Sequence, residues 1–465
     1  MNGATGAGEA LFHVAIVGSG PSGFYAAEAL LKASPNIRVH MFERLPVPYG
    51  LVRFGVAPDH PKLKQPALVF DKIARTPGFE FYGNVKVGRD ISVAALLDTH
   101  HAVIFAYGAQ EDRSLGVPGE ELPGSHGAAE FVGWYNGHPD YQDRRFDLSS
   151  EVAVVIGQGN VAADLTRMLS QPVDRLRGTD IAANALDSLA RCRVRVVHII
   201  GRRGAAQAKF TTREIQELIE LPDCTVEVAE DGMHLGATCL EELQESSNTV
   251  SARNVELFRK LKSGANSSAA RRIVFHFCKS PVEIIGPGRV RSLVFERNTL
   301  AGSAFQQVAW GTGTLGTVDC GLVFRSIGYR GSAMPDVPFE EQRGVIPNLE
   351  GRVRGCPGLY VTGWIKRGPS GLIGTNRADS VATVSALLAD AAAFSAASKY
   401  GPRALINQLT RDGLRVVDYT DWLRINDHEL ERGRQRGRAR EKCTATREML
   451  DVLSGVVADQ AALSG

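Results

Sequence analysis

Two glycine-rich turns of the kind that end a strand and open a helix lie on this one chain, Gly18-Ser19-Gly20-Pro21-Ser22-Gly23 and Gly157-Gln158-Gly159-Asn160-Val161-Ala162. The first follows the apolar run His13 to Val17 and opens a helix-like stretch through Leu31. Glu43 stands about 20 residues beyond its last glycine, which completes a βαβ dinucleotide fingerprint. The second follows Val152 to Ile156, but its next apolar run, Val194 to Ile200, ends in Gly201-Arg202-Arg203-Gly204 in place of an acid. Two such units require α/β domains on parallel sheets, and two bound nucleotides imply redox chemistry. The arginine pair predicts a 2′-phosphate, hence NADP rather than NAD.

The glycines have separate tasks. Gly18 allows the tight turn and Gly20 lets backbone approach a pyrophosphate. Gly23, like Ala162 in the second motif, lets helix and strand pack closely, while the helix N-terminus offers free N–H groups and a positive dipole.

Bulk properties exclude several classes. A chain of 465 residues, 44% hydrophobic, can bury two or three cores. A formal net charge of +2 makes no case for nucleic acid. Arg432, Arg434, Arg436, Arg438 and Arg440 form one basic cluster, read as a solvated helix face with a docking edge as the alternative. Seven cysteines, without a C-x-x-C pair, support neither a disulfide scaffold nor a metal site nor a dithiol centre. Met1 to Ala10 reads as a disordered lead-in, no stretch approaches a membrane span, and a cytoplasmic protein is expected.

Along the chain, strand 13–17, helix 22–32 and strand 37–42 are followed by the Pro- and Gly-rich segment Leu45 to Pro61. Strand-like runs recur at Phe79 to Val87 and Ala102 to Ala106, with a crossing between domains near Gln110 to Glu121. The second unit begins at Glu151, with later strands at Phe275 to Phe277, Val282 to Ile285, Ser292 to Glu296 and Leu322 to Ile327. Ser170 to Arg193 is a long insertion, and the polar stretch Gln244 to Ala269 reads as a surface excursion. Near the far end, strand Tyr360-Val361-Thr362, the loop Gly363 to Thr375 and an Ala-rich helix from Asp379 repeat the strand, loop, helix order. The first domain is therefore expected to be discontinuous, with the second inserted into it.

These blocks together resemble the adrenodoxin-reductase type of NADPH:ferredoxin reductase, from about His13 to Leu450. The most telling is the sixteen-residue run Pro46-Val47-Pro48-Tyr49-Gly50-Leu51-Val52-Arg53-Phe54-Gly55-Val56-Ala57-Pro58-Asp59-His60-Pro61, with Gly157 to Val161, Gly201 to Gly204 and Gly363 to Gly371 beside it. Gly363-Trp364 stands where many disulfide-reductase relatives carry Gly-Asp, which favours the ferredoxin-reductase branch. The resemblance implies a glutathione-reductase-like α/β fold of two Rossmann-like nucleotide-binding domains. An NADP domain (111–329) is inserted into a discontinuous FAD domain (1–110 and 330–465).

It further implies that Gly18, Gly20, Ser22, Gly23 and Glu43 contact the FAD nucleotide and that Leu51 and Val87 line the flavin. Trp364, Gly371, Leu372 and Ile373 would close the isoalloxazine site. Gln158, Gly159, Asn160 and Val161 would meet the NADP pyrophosphate, and Arg202 and Arg203 its 2′-phosphate. Glu214 would lie near the nicotinamide and, with His60, form a proton or orientation network. Electrons would pass from NADPH through FAD to a ferredoxin-type iron–sulfur protein, one at a time, in a transient electrostatic contact. The downstream enzyme stays open between a cytochrome P450 and an iron–sulfur assembly system. A flavin monooxygenase or oxidase is the nearest rival, and a sensor that binds both nucleotides without turnover is a more distant one. The missing C-x-x-C disfavours a thioredoxin reductase.

Overall fold

A computed structural model describes residues 11–229, 233, 235–245, 247–261, 269–371, 373–394 and 398–455. The expected lead-in Met1 to Ala10 and the site residue Leu372 lie outside the described residues. The chain divides into two compact units. The first comprises Met1–Glu111, Asn136–Pro139 and Tyr329–Gly465, and the second Asp112–Tyr135 and Asp140–Gly328.

The first unit is built on a seven-stranded sheet, in the order Asn348–Leu349, Arg352–Val353, Leu359–Val361, Ala102–Phe105, Phe12–Val17, Ile37–Phe42, Phe79–Tyr82. From Leu359–Val361 onward every pairing is parallel. Phe12–Val17 lies in the interior of this sheet and, His13 apart, reads as an apolar run because both its faces are covered. Val14 and Ile16 enter one core with Phe24, Ala27 and Leu30 of helix Pro21–Ala33. Ala15 and Val17 enter the other with Val85, Val93 and Leu96. Ala102–Phe105 divides the same way, Ile104 to one side and Phe105 to the other, as the two-residue strand period demands.

The second unit has a six-stranded parallel sheet, in the order Ser125–Gly127, Leu322–Arg325, Val152–Ile156, Val196–Ile200, Arg271–His276, Cys224–Val228. A three-stranded antiparallel sheet, Lys279–Ile285, Ser292–Ala301 and Val308–Asp319, accompanies it. The architecture is thus α/β, with two Rossmann-like units, one inserted in the chain of the other.

Several local expectations change. The run from Phe79 stops at Tyr82 because Gly83 and Asn84 turn the chain, Asn84 at φ 60°. The Ala-rich helix begins at Thr375 rather than Asp379. The insertion Ser170 to Arg193 holds helices Asp174–Arg177 and Ala183–Ala190. The polar excursion contains helix Thr249–Lys260, which buries Asn254, Val255 and Phe258. Its buried apolar pair, Val255 and Phe258, is spaced for one helix face but is diluted by seven polar residues of the same helix, so composition alone reads as loop. Strands Cys224–Val228 and Val308–Asp319 also escape the sequence reading. The second is almost wholly exposed and rich in Gly and Thr, and has no buried face to leave a period.

Four histidines gather in the first unit. His40 Nδ1 and His100 Nε2 lie 3.0 Å apart, His101 Nδ1 accepts from the His13 amide at 3.0 Å, and the His13 and His40 rings stack at 5.3 Å. Burial and then the neighbouring His100 and His13 depress His40 to about 2, and burial depresses His100 to about 4. Arg38 and Lys399 add to these effects, and Glu80 opposes them at His13. Both rings are therefore neutral in the fold, whereas the unfolded chain takes up protons below pH about 6.5. Stability is fully present above that pH and falls by about 1.4 kcal/mol per pH unit for each ring as pH drops toward the folded values. Urea midpoints at pH 7 and pH 5 should differ accordingly, and the double variant His40→Phe/His100→Gln should flatten the difference.

Candidate functional site

In the first unit, strand Phe12–Val17 runs into Gly18 at φ +106°, where a Cβ would stand 2.6 Å from the Tyr107 Cα and 2.7 Å from the Ala106 carbonyl. A Cβ on Gly23 would come within 2.2 Å of the Gly18 oxygen. Only glycine fits either place. Gly20 differs, because nothing lies within 4 Å of its Cβ position. It caps helix Pro21–Ala33 without any side-chain bond, and Pro21 supplies no donor. The helix therefore presents its first amides and its positive end to open space, a cradle for a phosphate.

Glu43, just after strand Ile37–Phe42, braces this turn. Its Oε2 accepts from the Ser19 amide at 3.1 Å and the Ser19 hydroxyl at 2.6 Å, and its Oε1 from the Leu45 amide at 3.1 Å. Each carboxylate oxygen can accept more than one bond, so the grip on Ser19 leaves capacity for a hydroxyl donor.

The sixteen-residue block packs against the same turn. The Tyr49 amide donates to the Ser19 oxygen at 3.0 Å, and a Cβ on Gly50 would lie 3.1 Å from the Gly20 Cα. Tyr49 takes φ 87°, costly for a bulky side chain, and is held there by a hydroxyl pair with Tyr419 at 2.8 Å and an edge contact on Trp422. Leu51 opens the short helix Leu51–Phe54, half-buried, while Val52, Arg53 and Phe54 are buried. Val87 is buried in the second core of this unit beside Val85 and Ile91. His60 is buried and precedes the turn of helix Pro61–Lys64.

The loop from the far end of the chain reaches the first fingerprint. Gly363, at φ +76°, would place a Cβ 2.2 Å from the Ser22 hydroxyl, which donates to Asn376 Oδ1 at 3.2 Å. Asp379 binds the loop into one piece, accepting from the Gly363 amide at 2.6 Å and pairing with Lys366 at 2.8 Å. Trp364 begins the short helix on this loop, and its Nε1 is buried with no hydrogen-bond partner. Leaving such a donor unsatisfied costs about 1–3 kcal/mol, so a polar atom of a bound group fits here. Gly371 is exposed at φ +84°, and Ile373 packs against the core.

The second unit repeats the cradle. Gly157 takes φ +141°, and its Cβ would meet the Ser326 oxygen at 2.0 Å. Gly159 has nothing within 4 Å and caps helix Asn160–Ser170 without a side-chain bond. Val161 lies in the first turn, and Asn160 Oδ1 accepts from the Thr211 amide at 2.9 Å. The Gln158 side chain lies over Gly201, where a Cβ would be 1.8 Å from its Cδ. Arg202 is exposed and Arg203 half-buried beyond strand Val196–Ile200, and neither guanidinium has an ion-pair partner among the described residues. Glu214 is buried in the first turn of helix Thr212–Ile219 and pairs with Arg167 Nη1 at 2.9 Å. Arg167 is itself buried and also pairs with Asp164 at 2.5 Å.

His60 and Glu214 thus belong to different units. Sequence reading overlooked Tyr49, Asp379 and Arg167. Only Arg167 left a signal, three residues beyond Asp164 on the fingerprint helix. Each arginine of the 432–440 cluster has an acidic partner. Arg432 pairs with Glu448, Arg434 with Glu431, Arg436 and Arg438 with Glu441, and Arg440 with Glu429.

A family model for an NAD(P)-binding Rossmann-like domain matches residues 16–84. The chain is 44% identical over 454 residues to the NADPH-ferredoxin reductase FprA of Mycobacterium leprae, covering 96% of this chain and 99% of the relative. It is 42% identical over 458 residues to the mitochondrial NADPH:adrenodoxin oxidoreductase of Bos taurus, covering 95% and 92%. Among solved structures, Mycobacterium tuberculosis FprA in complex with NADPH superposes with a TM-score of 0.88 at 40% identity, covering 95% of this chain and 99% of that one.

Proposed function

Because the chain belongs to the NADPH:ferredoxin reductases of the adrenodoxin-reductase type, we propose that its first unit holds FAD, its second holds NADPH, and its electron acceptor is a ferredoxin-type iron–sulfur protein. One observation carries the presence of two nucleotide sites, and the family to which the chain belongs assigns FAD to the first and NADPH to the second. Each unit ends a fingerprint turn in a glycine, Gly20 or Gly159, that faces open space at an uncapped helix N-terminus. When bound, the cofactors supply the redox chemistry, NADPH as a two-electron donor and the flavin as the group that hands electrons on singly.

The protein's part is to bind and orient. Gly18, Gly20, Ser22 and Gly23 shape the phosphate cradle of the first unit. Glu43 takes a ribose hydroxyl with its spare lone pairs. Leu51, Val87 and Ile373, with Leu372, provide apolar surface to the ring, Gly371 lets the chain approach it, and Trp364 Nε1 is the donor awaiting a polar atom. In the second unit Gln158, Gly159, Asn160 and Val161 receive the pyrophosphate, and Arg202 and Arg203 hold the 2′-phosphate. Glu214, fixed by Arg167, and His60 orient the reacting groups or hold a proton beside them. The acceptor is met transiently, in support of either a cytochrome P450 or iron–sulfur assembly. Seven cysteines, all free thiols, favour a reducing compartment such as the cytoplasm.

The test is an anaerobic titration of the flavin-loaded protein. NADPH should bleach the visible flavin spectrum far more readily than NADH, and oxidised ferredoxin should restore it, at a rate that falls as salt rises. Restoration only by oxygen or a small acceptor would transfer the reading to an oxidase or monooxygenase. Bound flavin that NADPH leaves oxidised would mark a sensor.

A further inference from the structure

The turn Gly201-Arg202-Arg203 is gripped at every carbonyl. The Gly201 oxygen accepts from the Lys279 amide at 2.9 Å, and the Arg203 oxygen from the Cys278 amide at 3.0 Å and from Gln158 Nε2 at 3.4 Å. The Arg202 oxygen accepts from Asn298 Nδ2 at 2.9 Å. Asn298 is half-buried on strand Ser292–Ala301, the middle strand of the antiparallel sheet. Its second amide hydrogen goes to Ser280 Oγ at 2.8 Å, and its backbone amide to the Cys278 oxygen at 2.8 Å. Both side-chain hydrogens are therefore spent on orienting this residue between the hairpin and the arginine turn.

The turn that closes the hairpin of strands Ser292–Ala301 and Val308–Asp319 is tied down as well. Glu242, buried on helix Ala237–Gln244, accepts at Oε1 from the Phe305 amide at 2.5 Å and from Gln307 Nε2 at 2.9 Å. Its Oε2 accepts from Gln207 Nε2 at 2.7 Å. Gln207 ends the short helix Ala205–Gln207 that directly follows the arginine turn. The hairpin thus holds the turn from two sides, through Asn298 and through Glu242. The guanidiniums of Arg202 and Arg203 meanwhile have no partner among the described residues.

We propose that Asn298 is a specificity-determining positioning residue, which orients the Arg202–Arg203 turn for a 2′-phosphomonoester without touching the nucleotide itself. The turn's backbone is committed to the hairpin, so its two side chains are presented in a fixed frame. A guanidinium held in place loses less freedom when it forms a forked bond to a phosphate. This rests on the reading of Arg202 and Arg203 as the 2′-phosphate site given above.

The experiment compares 2′,5′-ADP with 5′-ADP as competitive inhibitors of NADPH-driven ferricyanide reduction by the flavin-loaded protein and its variants. Asn298→Ala should weaken 2′,5′-ADP about five- to tenfold, the scale of one lost hydrogen bond to a positioned turn, with the loss in turnover falling on the KM for NADPH more than on kcat. The inhibition constant of 5′-ADP should move far less. Asn298→Asp, which sets an acceptor against the Arg202 carbonyl, should weaken 2′,5′-ADP further still. Equal weakening of both inhibitors, or of neither, would overturn the proposal, since a merely structural role has no reason to single out the phosphate. Arg202→Ala and Arg203→Ala are measured alongside. If they discriminate against 2′,5′-ADP and Asn298→Ala does not, the inference fails alone. If they do not discriminate, the phosphate reading fails and the inference with it.

Discussion

Replacing both Arg202 and Arg203 by alanine is expected to lower kcat/KM for NADPH by about 100-fold while changing that for NADH only slightly, so that the preference between the two is largely erased. A hydrogen bond to a charged group contributes about 1.5–3 kcal/mol, and two such bonds would give a larger loss were the site dry. Arg202 is exposed and Arg203 half-buried, so solvent screening holds the expectation to the lower end. Arg203→Lys should recover only part of the loss, because a lysine offers a point charge in place of a planar fork. The loss should also shrink at high ionic strength. Steady-state rates with both nucleotides decide the matter, and a preference that survives the double substitution would remove these arginines from the phosphate site.

The second large effect concerns Glu429, whose side chain is 0% exposed. Its Oε1 accepts from Arg53 Nη2 at 2.5 Å and from the Cys443 amide at 2.9 Å, and its Oε2 from Arg440 Nη1 at 2.7 Å. Arg53 is also buried, its guanidinium 5.1 Å from the Phe54 ring and 5.3 Å from that of Trp422. Glu429→Ala should destabilise the first unit by about 3–5 kcal/mol, chiefly because Arg53 is left as an uncompensated buried charge. Arg440 can turn to water and adds little.

Arg53 stands on the short helix opened by Leu51, so flavin release, read as a rise in flavin fluorescence on heating, should precede loss of the far-ultraviolet dichroism. The double variant Arg53→Met/Glu429→Leu should recover much of the stability, since an apolar pair of similar volume replaces the ions. A single variant as stable as the parent would show that the pair contributes nothing. The pH dependence has a definite sign. Burial pushes the Glu429 carboxyl upward, but Arg53 and Arg440 outweigh it and hold the group below its ordinary value. The contribution is present at neutral pH and lost as pH falls through and below the carboxylate range.

The fold was legible where one strand or one turn contains its own explanation. The runs at 14–17 and Val152–Ile156 are apolar throughout because parallel strands are covered on both faces, and their fingerprints follow at once. Helix Thr249–Lys260 and strand Val308–Asp319 were not legible. The helix buries too few residues to impose a period on a polar stretch, and the strand is exposed along nearly all of it. The arginines at 432–440 read as a solvated face, and only the folded chain shows which acid each of them meets.

By itself the sequence determined the two cradles. Gly18 and Gly157 are required by a backbone angle and a close approach at the turn, and Gly20 and Gly159 by the need to leave a helix end open, conditions that follow from the strand and helix on either side. Only the tertiary structure decided what holds the cradles and their partners in place: Ser22 under Gly363, Glu43 on Ser19, Arg167 on Glu214, Asn298 on the Arg202 carbonyl, Glu429 on Arg53. Most of these join residues tens to hundreds of positions apart. A buried charge or amide must find a partner, but any of several side chains could serve, and which one does depends on where the folded chain returns.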